Sequence, residues 1–277
     1  MSLAVFSVIL FAAALHACWN AMVKGAGDKL LMTALIAVTA SLLAALVLPF
    51  MPQPSSQSWP FILASVAIQV LYFLVLARIY SITDMSQSYA LMRGTAPLFV
   101  VCASVFLIGD PLSLSMWAGI LVICTGVLCM AAGAWRSNIQ GLALAFLNAL
   151  IVASYTLVDG IGVRCSDAPV SYTLWVFLLT GLPFVFWILL RKRRQLGGFL
   201  RQYWHFGLIG GAGSMASYGL ALWAMTIAPV AVVSALRETS ILFGVLIAIL
   251  FLGEKVRPLR ITAACIIAAG AMILRLS

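Results

Sequence analysis

The sequence predicts an all-α integral membrane protein, and three observations lead to this fold class. Of the 277 residues, 64% are hydrophobic and only 8% are charged, and the mean hydropathy is +1.15. Soluble domains contain about 45–50% apolar and about 25% charged residues, so lipid must solvate most of this surface. The apolar stretches are continuous and about 20 residues long, and they lack the alternation of membrane β-strands. We therefore expect helices throughout the chain.

Ten apolar stretches follow one another, separated by short connections. They comprise residues 3–23, 30–51, 59–80, 86–108, 113–134, 138–160, 170–190, 204–226, 230–252 and 257–275. Each is long enough to cross the bilayer once as a helix. The first stretch is interpreted as a retained span and not as a signal peptide, because no Lys or Arg precedes it and further spans follow. We expect no separate soluble domain.

Lysine and arginine are concentrated in the loops that follow the odd-numbered stretches. Twelve of the sixteen lie there, namely Lys24, Lys29, Arg78, Arg136, Arg191, Lys192, Arg193, Arg194, Arg201, Lys255, Arg257 and Arg260. Arg164 and Arg275 belong to the opposite side. Because basic loops stay in the cytoplasm, we expect odd-numbered loops to be cytoplasmic and both termini to lie outside the plasma (inner) membrane. The basic run at 191–194 is interpreted as an anchor at lipid headgroups, and the net charge of +9 indicates topology and not nucleic-acid binding.

The sequence contains no recognisable motif for a metal or a cofactor. Its six cysteines mostly fall within apolar stretches and show no CxxC spacing, which predicts neither disulfides nor a metal site. A GxxxxGKS/T phosphate-binding loop is absent, so we do not expect ATP hydrolysis. His16 and His205 stand outside HxxxD and HExxH motifs, which disfavours an intramembrane enzyme. We therefore expect no enzymatic activity and no cofactor.

The chain contains an internal repeat. Residues Ala90–Val101 align with Ser234–Val245 at an offset of 144, which pairs Arg93 with Arg237. A looser match at an offset of 139 aligns the first stretch with the sixth. The repeat unit is therefore five helices, residues 1–136 and 137–277. Because five is odd, the second unit enters the membrane from the opposite face, which is typical of transporters built from inverted repeats.

Several short motifs resemble the EamA-like family of the drug/metabolite transporter superfamily. They are LHACWN in the first stretch, Arg-Gly-Thr-Ala-Pro and Arg-Glu-Thr-Ser in the fourth and ninth, and the Gly-Asp and Gly-Glu loops before the fifth and tenth. The resemblance covers essentially the whole chain and implies ten helices in two tandem repeats. It also implies transport, since assigned members mostly look like exporters of amino acids and other small metabolites. Sister groups move nucleotide sugars, sugar phosphates or lipid-linked sugars.

Two arginines occupy equivalent positions inside the predicted membrane spans. In one interpretation, the long apolar stems of Arg93 and Arg237 let their guanidiniums reach the nearer interface. In the other, both guanidiniums face a central cavity and bind a carboxylate or a phosphate-like group. Their recurrence in both repeats favours a shared role, although inherited packing would produce it as well.

Glu238, Asp159 and His16 are the candidate proton-coupling residues, because ionisable groups inside a membrane are costly. Glu238 and the adjacent Arg237 point about 100° apart on a helix, so they pair poorly. Glu238 is expected to contact a polar group of span 1 or 6, to form a structural hydrogen bond, or to be protonated. Asp159 is interpreted first as a solvated cap near the outer end of span 6, and second as a proton site. His16 is interpreted as a buried hydrogen-bonding group or as a relay.

Polar and aromatic side chains recur at helical spacing on several spans, and these faces predict one amphipathic pocket. The alternative for the aromatic members is an interfacial belt or helix packing. The candidate substrate-binding residues are His16, Trp19, Asn20, Gln69, Tyr72, Tyr89, Arg93, Tyr155, Tyr218, Arg237 and Glu238.

The sequence therefore predicts a secondary transporter that exports a small amphiphilic metabolite, such as an amino acid, by alternating access. The alternative is a flippase or carrier for lipid-linked, phosphorylated or phosphonate compounds. The expected partners are a small-molecule substrate and the lipid bilayer, without nucleic acid. A monomer suffices in principle because both halves of a symmetric pathway are present, and a dimer is compatible with the sequence.

Overall fold

A computed structural model describes residues 1–82, 85–132, 139–250 and 258–277 of the chain. Of residues 77, 80–82, 85–90, 107, 130–132, 193 and 248 it describes the backbone alone. The predicted repeat boundary at residues 136 and 137 and the side chain of Tyr89 therefore lie outside the described part.

The described residues form helices and no strand, which confirms the all-α prediction. The helices are α1 (Leu3–Gly25), α2 (Lys29–Val47), α3 (Trp59–Ile82), α4 (Met85–Ala103), α5 (Leu114–Ala132), α6 (Ile139–Arg164), α7 (Pro169–Trp187), α8 (Arg193–Met225), α9 (Val230–Arg237), α10 (Ser240–Leu250) and α11 (Pro258–Leu276). Single 3₁₀ turns (Leu48–Phe50, Ser56–Ser58) and π turns (Ser104–Ile108, Ile188–Lys192) extend the ends of some of them.

Seven segments of the described chain are long and apolar enough to cross a membrane. They are Leu3–Gly25, Lys29–Phe50, Ser56–Leu76, Ile139–Arg164, Pro169–Lys192, Val230–Ile247 and Pro258–Leu276. They coincide with the predicted spans 1, 2, 3, 6, 7, 9 and 10. The predicted spans 4, 5 and 8 are also helical, but the apolar parts of α4 and α5 are shorter and α8 is more polar. The protein is thus a multi-span membrane protein, and the count of ten spans stays a prediction.

The predicted ninth span is not a continuous helix. Between α9 and α10, the N–H groups of Glu238, Thr239 and Ile241 bond to carbonyls three residues earlier, at 3.0 Å each. This tighter turn re-aims the backbone inside a span, as short 3₁₀ segments do at functional sites. The interruption follows Arg237 directly, so the last side chain of α9 is placed at a break in the helix.

Helix α8 begins eleven residues earlier than predicted, at Arg193 instead of residue 204. The expected loop after span 7 is therefore helical. With 33 residues at about 1.5 Å each, α8 reaches about 50 Å, longer than the bilayer core of about 30 Å. Its polar first turns extend past that core, and the aromatic rings of Phe199 and Tyr203 pack there at 4.6 Å.

The start of α2 is fixed by a polar contact near the basic loops. Asp28 caps this helix by accepting the N–H of Leu31 at 2.9 Å, and Lys192 donates to its other oxygen at 3.3 Å. The Leu31 hydrogen bond, more than Lys192, holds the pKa of Asp28 below its ordinary value against the opposing effect of partial burial. The contact joins the beginning of α2 to the end of α7.

Helices from the two halves of the chain pack in matching pairs. Helix α5 packs on α11 and α2 on α7, while α1 packs on α8 and α3 packs on α6. The crossing of α5 and α11 is close because glycines lie at it: Gly126 faces Ile267, and Gly270 faces Ile123. Small residues permit this approach where lipid offers no hydrophobic driving force between helices. The largest cluster of buried apolar side chains surrounds α9 and holds it against α4, α5, α8 and α11.

We expect Gly270→Ala to lower the free energy of unfolding by about 1–3 kcal/mol. A Cβ there lies 2.7 Å from Ile123 Cγ1 and 2.8 Å from the Ile123 backbone nitrogen, which cannot rotate away. Gly213→Ala is the matched control, since a Cβ on Gly213 has no neighbour within 4 Å. Thermal unfolding in bicelles measures both variants, and equal midpoints would contradict the close α5–α11 crossing.

Candidate functional site

A cavity of about 180 Å³ lies between helices of both halves of the chain. Its wall is built from α1, α2, α3, α4, α6, α7, α8 and α9. The wall includes nine of the predicted substrate-binding residues, namely His16, Trp19, Asn20, Gln69, Tyr72, Arg93, Tyr155, Tyr218 and Arg237. The structure therefore brings these residues together. Their role in binding a substrate stays a prediction.

The cavity lies nearer one end of the bundle than the other. Thr33, about one turn into α2, belongs to the wall, and the basic loop residues Lys24 and Lys29 lie near that end. In the other direction the wall ends at Tyr155 and Tyr218. The cavity therefore lies nearer the end of the bundle that carries the basic loops.

Arg93 and Glu238 form an ion pair beside the cavity. Arg93 Nε donates to Glu238 Oε2 at 2.9 Å, and Arg93 Nη2 lies 3.4 Å from Ser240 Oγ. Glu238 is 4% exposed and does not itself line the cavity. The expectation that its partner comes from span 1 or 6 is wrong, because the tight turn after α9 directs its carboxylate toward α4. The pair connects the predicted fourth and ninth spans.

Arg237 has a different environment from its repeat partner. Its guanidinium carbon lies 5.0 Å from the ring centre of Tyr218, in cation–π contact. None of the described residues forms an ion pair or a hydrogen bond with it. Arg237 thus lines the cavity with its hydrogen-bonding capacity unused by the described protein.

Asp159 is buried, and its interpretation as a solvated cap is wrong. It is 0% exposed, it accepts the hydroxyl of Tyr172 at 2.8 Å, and the hydroxyl of Tyr218 donates to its other oxygen. The reason is that α7 and α8 pack over this part of α6. Asp159 is a membrane carboxyl group held by hydroxyl donors, directly behind the cavity wall.

Aromatic rings form much of the wall. Tyr155 lies 6.1 Å from Tyr72 and 6.4 Å from Tyr218, and Phe177 lies 6.2 Å from Tyr218, all in edge-on arrangements. Such arrangements are favourable for aromatic pairs and hold the rings in place. The rings present a continuous apolar surface beside the two arginines.

Within the described part of the chain, three buried polar atoms of wall residues have no hydrogen-bond partner. They are Trp19 Nε1, Asn148 Oδ1 and Thr180 Oγ1. Buried polar groups are nearly always satisfied in folded proteins, so each such group needs an explanation. A bound ligand or water in this cavity provides one.

Sequence reasoning missed the wall residues of α2 and α7. The repeat offset of 144 relates Thr33 to Phe177, Ile36 to Thr180 and Ala37 to Gly181, and all six line the cavity. Extending the alignment from spans 4 and 9 to spans 2 and 7 would have found them. Ser217 of α8 does not line the cavity, because its hydroxyl donates to the Ala12 carbonyl of α1 at 2.7 Å.

A second polar network closes the end of the bundle away from the basic loops. Arg164 binds Asp110 through two contacts of 2.9 and 3.3 Å, and it donates to the carbonyls of Met225 and Ala228 at 2.7 and 3.1 Å. Asp110 also accepts the N–H of Val230 at 2.9 Å. The network joins the end of α6, the connection before α5 and the connection before α9. Sequence analysis assigned Arg164 only a side of the membrane.

We expect Arg93→Gln to destabilise the protein by about 3 kcal/mol, since it leaves the Glu238 carboxylate buried without its cation. Adding Glu238→Gln should restore most of the loss, because a neutral pair avoids the uncompensated charge. Denaturant unfolding of the single and double variants measures this coupling. Arg275→Gln, which removes one bond to the Met1 carbonyl, is the control. Equal stability of the single and double variants would contradict the pairing.

We expect Arg164→Gln to lower the free energy of unfolding by about 2–3 kcal/mol, because several charge-assisted hydrogen bonds are lost. Lys192→Gln removes the more exposed pair with Asp28, and such surface pairs contribute about 0–1 kcal/mol. Unfolding midpoints of both variants, measured in the same detergent, give the comparison. A larger loss for Lys192→Gln would refute the structural importance of the Arg164 network.

Comparison with known proteins agrees with this architecture. Residues 139–276 match the model of the EamA-like transporter family. A protein of known crystal structure shares the fold, with a TM-score of 0.76 and 18% identity over 100% of this chain and 98% of that chain. No curated protein matches the sequence. At this identity the crystal structure establishes the fold alone, whereas the family match confirms the resemblance found in the sequence. The chain belongs to the EamA-like transporter family.

Proposed function

We propose that this protein is a secondary transporter that exports a small amphiphilic metabolite, such as an amino acid, by alternating access between two inverted repeats. The observation that carries the proposal is the cavity, whose wall comes from both halves of the chain and contains Arg93 and Arg237 at equivalent repeat positions. Binding sites between repeats, near the middle of the membrane, are typical of secondary transporters.

The helix packing supports two repeats at residues 1–136 and 137–277. In the two repeats, α1 corresponds to α6 and α3 corresponds to α8. The contact between α1 and α8 in one arrangement therefore corresponds to the contact between α6 and α3, and both contacts are present. The α2–α7 and α5–α11 contacts convert into themselves. The family match begins at residue 139, close to the proposed start of the second repeat.

The two ends of the bundle support a gated pathway. The cavity lies nearer the basic loops, and by the positive-inside rule this end is cytoplasmic, with both termini outside. Toward the other end, Asp159 and the Arg164–Asp110 network close it. A cavity loaded from the cytoplasm suits an exporter in the inner membrane, and the opposite state requires the network to open.

The cavity volume favours a small metabolite over the alternative of a lipid-linked compound. A cavity of about 150 Å³ accommodates a molecule of the size of benzene, and this one holds about 180 Å³. A monomer contains the whole wall, so transport does not need a second copy. The family is one of transporters, which agrees with a protein that is not an enzyme.

An ion gradient or the gradient of the substrate itself supplies the driving force in this proposal. Among the three candidate proton-coupling residues, Glu238 is paired with Arg93, and His16 is packed against Trp19 at 5.1 Å. Asp159 has hydroxyl donors and no ion-pair partner among the described residues. Its carboxyl group can exchange a proton without breaking an ion pair, so Asp159 is our first candidate for proton coupling.

We expect proteoliposomes with the purified protein to accumulate or release at least one member of an amino-acid panel when a pH gradient is imposed. In Asp159→Asn, flux driven by the pH gradient should fall at least about tenfold, while exchange of substrate across the membrane persists. Asp167→Asn makes the same substitution at an exposed position of the following loop and serves as the control. Radiolabel uptake measures both modes.

Two outcomes would contradict the proposal. Absence of flux for the whole panel, under pH and sodium gradients, would refute amino-acid transport. Gradient-driven flux that is unchanged in Asp159→Asn would remove Asp159 from the coupling mechanism and leave transport itself intact.

A further inference from the structure

We infer that Arg237 anchors a single carboxylate group, and that the substrate is a small, singly charged organic anion with a planar apolar body. This inference rests on the proposed transport function and names the substrate class of the same cavity.

The charges beside the cavity leave one arginine available. The Arg93 guanidinium is bound by Glu238 at 2.9 Å, and that carboxylate neutralises it. Asp159 is engaged by Tyr172 and Tyr218 hydroxyls and forms no ion pair with Arg237. A free guanidinium presents donors in a planar fork that matches a carboxylate. One available guanidinium pairs with one carboxylate, whereas a phosphate monoester carries nearly two negative charges at neutral pH.

A second hydrogen-bond donor in the cavity wall also needs an acceptor. The indole N–H of Trp19 is buried and has no acceptor among the residues that the structure describes. An indole nitrogen only donates, so an acceptor must come from the ligand or from solvent. Arg237 and Trp19 thus both require acceptors, which a carboxylate supplies and an ammonium group does not.

The surroundings of Arg237 select the rest of the molecule. The guanidinium lies on the face of Tyr218 at 5.0 Å, and Phe177 contacts the same ring at 6.2 Å. A carboxylate held at the guanidinium edge extends its own body along these rings. Flat apolar groups pack favourably there, and about 180 Å³ accommodates roughly one ring with a short substituent.

Benzoate is the probe for this site, because it is a planar monoanion of the required size. Purified protein in nanodiscs is titrated with benzoate, benzamide, phenyl phosphate and benzylammonium, with tryptophan fluorescence and thermal stability as readouts. We expect benzoate to bind and raise the melting temperature. Benzamide and benzylammonium should not bind measurably, and phenyl phosphate should bind at least about tenfold more weakly than benzoate.

Substitutions of Arg237 test whether its guanidinium binds the carboxylate of benzoate. Arg237→Gln should weaken benzoate binding at least about tenfold. Arg237→Lys keeps the charge without the planar fork, so it should bind with intermediate affinity and reports on the site if the glutamine variant fails to fold. The matched control is Arg275→Gln, which makes the same substitution outside the cavity, where Arg275 donates to the Met1 carbonyl at 2.8 Å. It should bind benzoate within about threefold of the unmodified protein.

Unchanged benzoate affinity in Arg237→Gln would overturn the inference, as would preferential binding of benzylammonium or of phenyl phosphate. Weakening of equal size in Arg275→Gln would also overturn it, because that arginine does not line the cavity. The binding assay requires no flux. A protein that moves amino acids but ignores benzoate therefore refutes this inference alone. Benzoate binding at Arg237 without any solute flux refutes the transport proposal alone.

Discussion

The ion pair between Arg93 and Glu238 is the interaction on which the candidate site depends. A guanidinium inside a membrane is expensive, and two of them beside one cavity require compensation. Glu238 supplies it for Arg93 alone, at 2.9 Å, and it does so across the two halves of the chain. The neutralised arginine links α4 to the turn after α9. Arg237 remains available at the cavity, so equivalent residues of the repeat have acquired different environments.

Lipid as the outer solvent explains how the helices are held around that pair. Because apolar side chains gain little by leaving lipid for each other, contact depends on close packing and on polar groups that find partners inside. Gly126 and Gly270 bring α5 and α11 together, and the Arg164–Asp110 network ties the connections at one end. The cavity lies between these fixed parts, where its wall retains polar atoms that the described protein does not satisfy.

Hydropathy and the repeat predicted most of what depends on local sequence. The helical fold, the positions of seven apolar spans and the nine wall residues follow from apolar length and helical spacing. What failed depends on tertiary geometry. Periodicity located Asp159 on a helix face but not the Tyr172 and Tyr218 hydroxyls that bury it. The ion pair of Glu238 depends on the tight turn before Ser240, which periodicity does not predict. The start of α8 was missed because its first residues are polar and its helix continues beyond the membrane.

In the proposed mechanism, differences between equivalent residues of the two repeats set the balance between the two access states. An exact repeat would give states of equal energy, with each half adopting the other's conformation. Here the equivalent of Asp159 is Asn20, whose side chain donates to the His16 carbonyl of its own helix at 2.7 Å and does not bridge helices. Asp159 instead binds hydroxyls from α7 and α8, which favours closure at its own end of the bundle. A substrate shifts such an equilibrium only by the difference in its affinity for the two states. Tyr218 contacts both Arg237 and Asp159, so a ligand held at Arg237 acts on the residue that helps to close the pathway.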